Sequence, residues 1–313
     1  MRAAAARDHG ILLVPVLLVA ALSLSTDTFL TAGNLVNLLD QGVVVGLLAC
    51  GMALCVICGV FDLSVGAVLA VSAVVAVTVT RSSGVPAGYA AALATGALMG
   101  TTTGVITMLS RVHSFISTLA LSIVYRGLAL VITGGAIVYP HAHQLDAFQR
   151  LGGPTVLADV TAPTLLLAGV AAFCWILLAR TTLGRCVYAV GGNAEASRLS
   201  GVRVGAVRVA MFALSGTCAG AAGLVMAARG GSAQADLGTL LELTAIAAVV
   251  IGGTSILGGQ GTVWRALVGV LILTLISNGF NLLGWNPIYK QLIEGLLILT
   301  AVTLDQMLRR RSR

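Results

Sequence analysis

Charge is scarce in this chain. Asp, Glu, Lys and Arg make up 9% of its residues, against about 25% in soluble domains, which excludes an ordinary water-soluble globular protein. Lysine is almost missing: Lys290 stands alone, and the other basic residues are arginine. The glycine-rich GGTSILGGQG therefore lacks the Gly-Lys-Ser/Thr of a nucleotide-binding P-loop. No HExxH or GxSxG occurs, and no His/Cys cluster has credible metal spacing. His141 and His143 could share a metal, but nothing near them completes a ligand set. The apolar runs hold too few acids and bases for a membrane enzyme, and too few carboxylates for proton or sodium coupling. Cys50, Cys55, Cys58, Cys174 and Cys218 lie in or beside apolar runs and Cys186 in a basic loop. That is a packing pattern and no disulfide framework.

What is present is hydrophobicity. Apolar residues make up 58% of the chain and the mean hydropathy is +1.01, which predicts an all-α integral membrane protein. Ten spans are expected: Ile11–Ser25, Leu35–Cys58, Val65–Thr80, Ala87–Leu109, Phe115–Thr133, Ala162–Ala179, Val209–Ala228, Leu241–Leu257, Ala266–Leu283 and Ile288–Leu308. The first has the positive head of a signal peptide, but with nine spans following it is read as retained. With the N-terminus inside, thirteen arginines lie on the inner side. Arg81, Arg150, Arg229 and Lys290 lie outside. This bias puts both termini in the cytoplasm. It also accounts for the net charge of +7 without any nucleic acid.

Ile251 to Leu273 carries six glycines in 23 residues. Each would cost a soluble helix interior about 1 kcal/mol relative to alanine. A break between two spans is predicted there. It is either a hairpin lining a pathway or a tight surface turn with close helix packing, and spacing alone leaves both open. A second break falls at Cys58 to Ala70, CGVFDLSVGAVLA, where Asp62 or Ser64 is placed to cap the next span. A pathway-lining role there is compatible with the cap. Shifting the chain by 194 puts Ile57, Gly59 and Leu63 on Ile251, Gly253 and Leu257, an echo of the repeats common in transporters. Arg126 lies in mid-span, where a cation is costly unless it faces protein or water. It is expected to brace helix packing through carbonyls or an acid, with Tyr125 shielding it.

The segment 180–208 is the most polar long stretch. Asn193 is a suitable N-cap, Glu195 suits a helix start, and Gly201 suits the position after a helix end. Ala196 and Leu199 would share one face of a helix of under two turns, which needs packing or a partner to persist. A shaped docking element is expected. The segment 134–161 is expected to be an outer-face surface suited to docking a partner.

Four segments carry a family resemblance: Gly252–Trp264 (GGTSILGGQGTVW), Cys58–Ala70, His113–Gly135, and Gly184–Val202 (GRCVYAVGGNAEASRLSGV). They resemble the membrane-spanning permease subunit of bacterial ABC sugar importers of the ribose, xylose, arabinose and galactose type. The final span is also similar, with Glu294 standing where that family usually has Lys. The resemblance implies a single polytopic permease domain over 1–313 in the bacterial inner membrane, forming a homodimer surrounded by lipid. It implies a separate ABC ATPase, carrying the ATP and Mg that this chain itself does not hold. The ATPase would dock on the coupling residues Gly191, Gly192, Asn193, Glu195, Ala196, Arg198, Leu199, Ser200 and Gly201. A periplasmic or lipid-anchored solute-binding protein would dock outside. The pathway or gating residues would be Asp62, Ser64 and Gly66 in one break, and Gly252, Gly253, Thr254, Gly258, Gly259 and Gly261 in the other. A stand-alone secondary transporter or facilitator is the alternative.

Overall fold

The computed structural model describes residues 2–286 except 154, 158 and 159, and beyond them only 289, 292, 293, 295, 296 and 299. The expected last span, with Lys290 and Glu294, thus lies outside the continuously described residues. The protein is nearly all helical. It opens with α1 (Arg2–Ser25), α2 (Ala32–Gln41), α3 (Val43–Ile57), α4 (Val65–Ser83), α5 (Val85–Ser110) and α6 (Ser114–Thr133). A short α7 (Ala142–Gln149) and an antiparallel pair, β1 (Thr155–Leu157) and β2 (Val160–Thr161), follow. Next come α8 (Ala162–Arg180), α9 (Thr182–Gly192), α10 (Ala194–Leu199), α11 (Val204–Gly230), α12 (Leu241–Ile251) and α13 (Val263–Leu282).

Among the described residues six helices, α4, α5, α6, α8, α11 and α13, are long and apolar enough to cross a membrane. The expected span Leu35–Cys58 is divided: α2 and α3 meet at a 41° bend, and they make a seventh span if counted as one. The expected span Leu241–Leu257 is cut to α12, whose 11 residues reach only about 16 Å, because Gly252 and Gly253 end the helix.

The centre is built from α3, α4 and α11. Nearly every position of α3 is buried, as expected for a helix apolar all round. By contrast α6 and α8 leave Ile116, Ile123, Val131, Phe173 and Trp175 exposed, which suits lipid contact. The tightest seam joins α5 to α11. Gly96, Gly100 and Gly104 recur every fourth residue on α5; Gly96 and Gly100 meet Gly216 and Gly220 of α11, and Gly104 meets Val209 and Phe212. A Cβ on Gly96 would lie 2.9 Å from Gly220 Cα, and one on Gly216 2.7 Å from Gly100 Cα. Small residues at four-residue spacing let two backbones approach closely, which is how helices associate where lipid removes the hydrophobic drive between them.

Candidate functional site

The first break runs from Cys58 to Ser64. Cys58 ends α3, Gly59 turns with φ +78°, and the chain stays non-helical until α4 begins at Val65. Away from water, its backbone and side-chain groups need protein partners. Ser114 Oγ accepts from Phe61 N–H at 3.0 Å, and Thr118 Oγ1 accepts from Leu63 N–H at 3.0 Å. Asp62 is buried to 1% exposure and its oxygens accept from three donors. Oδ1 takes Ser64 N–H at 3.1 Å and Ser64 Oγ–H at 2.6 Å, and Oδ2 takes Ser215 Oγ–H of α11 at 2.9 Å. Ser64 occupies the N-cap position of α4 but makes no side-chain cap, because its hydroxyl is committed to Asp62. Asp62 thus faces α11 and Ser64 faces Thr103 Oγ1 of α5 at 3.4 Å, while α6 holds the neighbouring Phe61 and Leu63. Gly66 lies against Glu242: a Cβ there would collide with Glu242 Oε2.

The second break ends α12 in the same way, 194 residues later. In the first, Gly59 N–H bonds Val56 O at 3.0 Å and Val60 N–H bonds Cys55 O at 3.0 Å. In the second, Gly253 N–H bonds Val250 O at 2.8 Å and Thr254 N–H bonds Val249 O at 3.1 Å. Both are Schellman endings with a glycine in the left-handed region, φ +78° at Gly59 and +82° at Gly253. The loop then folds on itself. Ser255 N–H bonds Gln260 O at 3.0 Å, Thr254 is buried, and Gly261 packs on Thr254 so closely that a Cβ would lie 2.8 Å from its Oγ1. Gly252 lies under Arg265 at the start of α13, with no room for a Cβ.

The polar segment forms two helices where one capped helix was expected. Between α9 and α10 stands Asn193 alone. Its N–H bonds Ala189 O at 2.9 Å, and its Oδ1 accepts from Ala196 N–H at 2.9 Å. Glu195 and Arg198 pair at 2.6 Å in the open, Ser200 Oγ–H bonds Ala196 O at 2.9 Å, and Gly201 turns with φ +86°. Ala196 is exposed and Leu199 is 80% exposed, while Ser197 is buried behind them. The burial of Tyr188 on α9 raises its pKa above the ordinary phenol range.

These three segments meet. Gly259 N–H donates to Ile57 O at 2.8 Å, which ties the second break to the last residue of α3. Gly191 sits beside that bond, with a Cβ position 2.6 Å from Gly259 N. A Cβ on Gly258 would lie 2.9 Å from Gly59 Cα. Tyr188 Oη–H bonds Gly261 O at 2.8 Å. Three stretches far apart in the chain thus share one backbone contact.

A permease family described as "Branched-chain amino acid transport system / permease component" matches residues 34–302. The chain belongs to this permease family. The ribose import permease protein of Escherichia coli (strain K12) is 40% identical over 298 residues, covering 94% of this chain and 92% of that protein. That of Bacillus subtilis (strain 168) is 41% identical over 294 residues, covering 93% and 90%. The L-arabinose ABC transporter permease protein of Azospirillum brasilense is 36% identical over 305 residues, covering 97% and 89%. No solved structure is significantly similar to the chain.

Elsewhere in this permease, Arg126 braces carbonyls as expected. Its Nη1 donates to Ala235 O at 2.9 Å and to Leu237 O at 2.8 Å, in the segment leading into α12. Glu242 and Asp236 are its charged neighbours. Tyr125 does not shield it: the Tyr125 hydroxyl lies 3.0 Å from Thr103 Oγ1 on α5 and donates to Met99 O at 3.2 Å. Adjacent residues on a helix diverge by about 100°, so Arg126 and Tyr125 serve different neighbours. Arg126→Met is expected to destabilise the protein by about 2 kcal/mol, since it leaves the Ala235 and Leu237 carbonyls without their donor. Arg126→Lys should keep part of that. A thermal unfolding series checks both, and equal stability of the Met variant would refute the bracing role. The His141 and His143 rings stack at 5.7 Å, and among the described residues no group of three or more His, Cys, Asp and Glu could hold a metal.

Sequence reasoning missed Gly191 as a packing residue, Glu242 as the neighbour of Gly66, and the α5–α11 glycine seam. Only the seam had a legible signal, the four-residue glycine spacing.

Proposed function

We propose that this permease is the membrane-spanning subunit of an ABC importer carrying a neutral monosaccharide or sugar-like solute into the cell. The observation that carries the coupling role is α10. It is capped by Asn193, it presents Ala196 and Leu199 to solvent on one face, and it is too short to persist without support. Such an element fits a groove on a separate ATPase, which would carry the ATP and Mg. The relatives named for ribose, allose and arabinose support the sugar assignment. The chemistry agrees: few charges lie near the spans to compensate a charged solute.

The arrangement in the membrane belongs to the same reading. Ten spans, with both termini cytoplasmic, place 180–208 inside for the ATPase. They place 134–161 outside for a periplasmic or lipid-anchored solute-binding protein. Two copies would complete the transporter in lipid. The matched endings of α3 and α12, at a shift of 194, support a repeated architecture with glycine-rich breaks beside the pathway.

The test is uptake of labelled ribose, arabinose, allose and a polyol by permease reconstituted with its cognate ATPase and binding protein. ATP-dependent uptake of one of them is expected. Uptake without the ATPase would favour a stand-alone facilitator, and transport of only an amino acid or a metal ion would overturn the sugar assignment.

A further inference from the structure

We infer that the meeting of Gly59, Gly191 and Gly258–Gly259 is the joint through which movement of α10 reaches both helix breaks, with Gly191 its positioning residue. This deepens the proposed importer reading and rests on α10 as the ATPase-docking element.

Three features make the contact a joint. It is backbone on backbone: a Cβ on Gly191 would strike Ile57 O, the acceptor of the bond from Gly259 N–H. From the facing side, a Cβ on Gly258 would lie 2.8 Å from Gly191 O, and one on Gly259 would lie 2.7 Å from Gly192 Cα. Side chains can absorb a small displacement by changing rotamer, whereas a glycine contact has no rotamers and passes the displacement on. Second, α9 is latched to the second break from within the same turn, by Tyr188 Oη–H to Gly261 O at 2.8 Å. Third, only Asn193 separates this turn from α10, and it is bonded into both helices, to Ala189 O and from Ala196 N–H. A push on Leu199 therefore reaches Gly191 through a short, fully bonded element. Gly191 in turn touches the end of α3 and the second break together. Packed and hydrogen-bonded rigid elements of this kind carry coupling between sites.

Static packing would need the same glycines, so the test must read movement. Gly191 and Gly169, on α8 and outside the docking and joint residues, supply an internal comparison. Neither has a left-handed φ, so alanine is compatible with both backbones. Yet a Cβ on Gly169 meets nothing within 4 Å. Wild-type permease, Gly191→Ala and Gly169→Ala are assembled with the cognate ATPase in phosphatidylethanolamine–phosphatidylglycerol vesicles, and amide hydrogen exchange is followed with and without MgATP. No solute is required. In the wild type and in Gly169→Ala, MgATP should change exchange at 58–64 and 252–262 together. In Gly191→Ala the ATPase should remain bound while that response shrinks about tenfold. Tyr188→Phe, which removes only the latch, should weaken the response at 252–262 more than at 58–64, and it carries the test if Gly191→Ala fails to assemble. An undiminished response in Gly191→Ala, a wild-type response in Tyr188→Phe, or no response at either break in the wild type would overturn the joint. Failure of the wild-type chain to bind the ATPase would instead bring down the importer reading itself.

Discussion

Leu199→Asp is expected to cost about 30-fold or more in ATP-dependent uptake while leaving the permease inserted and folded. The side chain is 80% exposed and makes no part of the core, so folding should tolerate the change. Docking should not. An exposed apolar residue at the tip of a short capped helix is the kind of anchor whose loss costs 2 kcal/mol or more at an interface, about 30-fold in affinity. An aspartate would also need to be desolvated in the groove. Ala196→Asp, on the same face, should act in the same direction, and Glu195→Gln, which loosens only the exposed pair with Arg198, should have little effect. Co-purification of the ATPase with each variant, alongside uptake, checks this. Uptake and ATPase retention both at wild-type level in Leu199→Asp would refute docking through α10.

The second large effect is structural. Asp62→Ala should destabilise the permease by about 3 kcal/mol or more, because it strands buried hydrogen-bond donors. Among the described residues Asp62 is the one acid with a buried side chain, and its oxygens hold the entry of α4 to α11 through Ser64 and Ser215. Asp62→Asn keeps the Oδ1 acceptor for Ser64 and should lose less. Ser215→Ala removes one donor and leaves Oδ2 without it, an intermediate case. Thermal unfolding in detergent should rank the variants Asn, then Ser215→Ala, then Asp62→Ala in increasing loss. An Asp62→Ala protein as stable as the wild type, with impaired uptake alone, would move Asp62 from scaffold to pathway.

These two residues differ in how far the amino-acid sequence revealed them. Leu199 was legible because the information is local: Asn193 before the helix, Gly201 after it, and the three-residue spacing of Ala196 and Leu199. The structure adds that α9 leads directly into the same element. Asp62 was legible as a helix-start residue, but its partners were not. Ser215 lies 153 residues away, and a lone serine among small residues on a long helix carries no mark of what it will bond.

The same division holds for the whole protein. Composition alone established a multi-pass helical membrane chain, because 9% charged residues cannot cover a soluble surface. Glycine and cap residues located both breaks and the polar segment, since the φ angles and orphan N–H groups they serve are set within a few residues. Mid-span charge singled out Arg126, because a cation there must find carbonyls or acids. Tertiary structure decided how these pieces meet. It shortened α12, bent α2 against α3, turned Tyr125 away from Arg126, buried Asp62, and brought Gly191 onto both breaks. The bend, the partners of Asp62 and the meeting at Gly191 have no pattern in the chain. Apolar helices are near-equivalent partners in a lipid setting, and the choice among them rests on shape complementarity at small residues that only the packed backbones reveal.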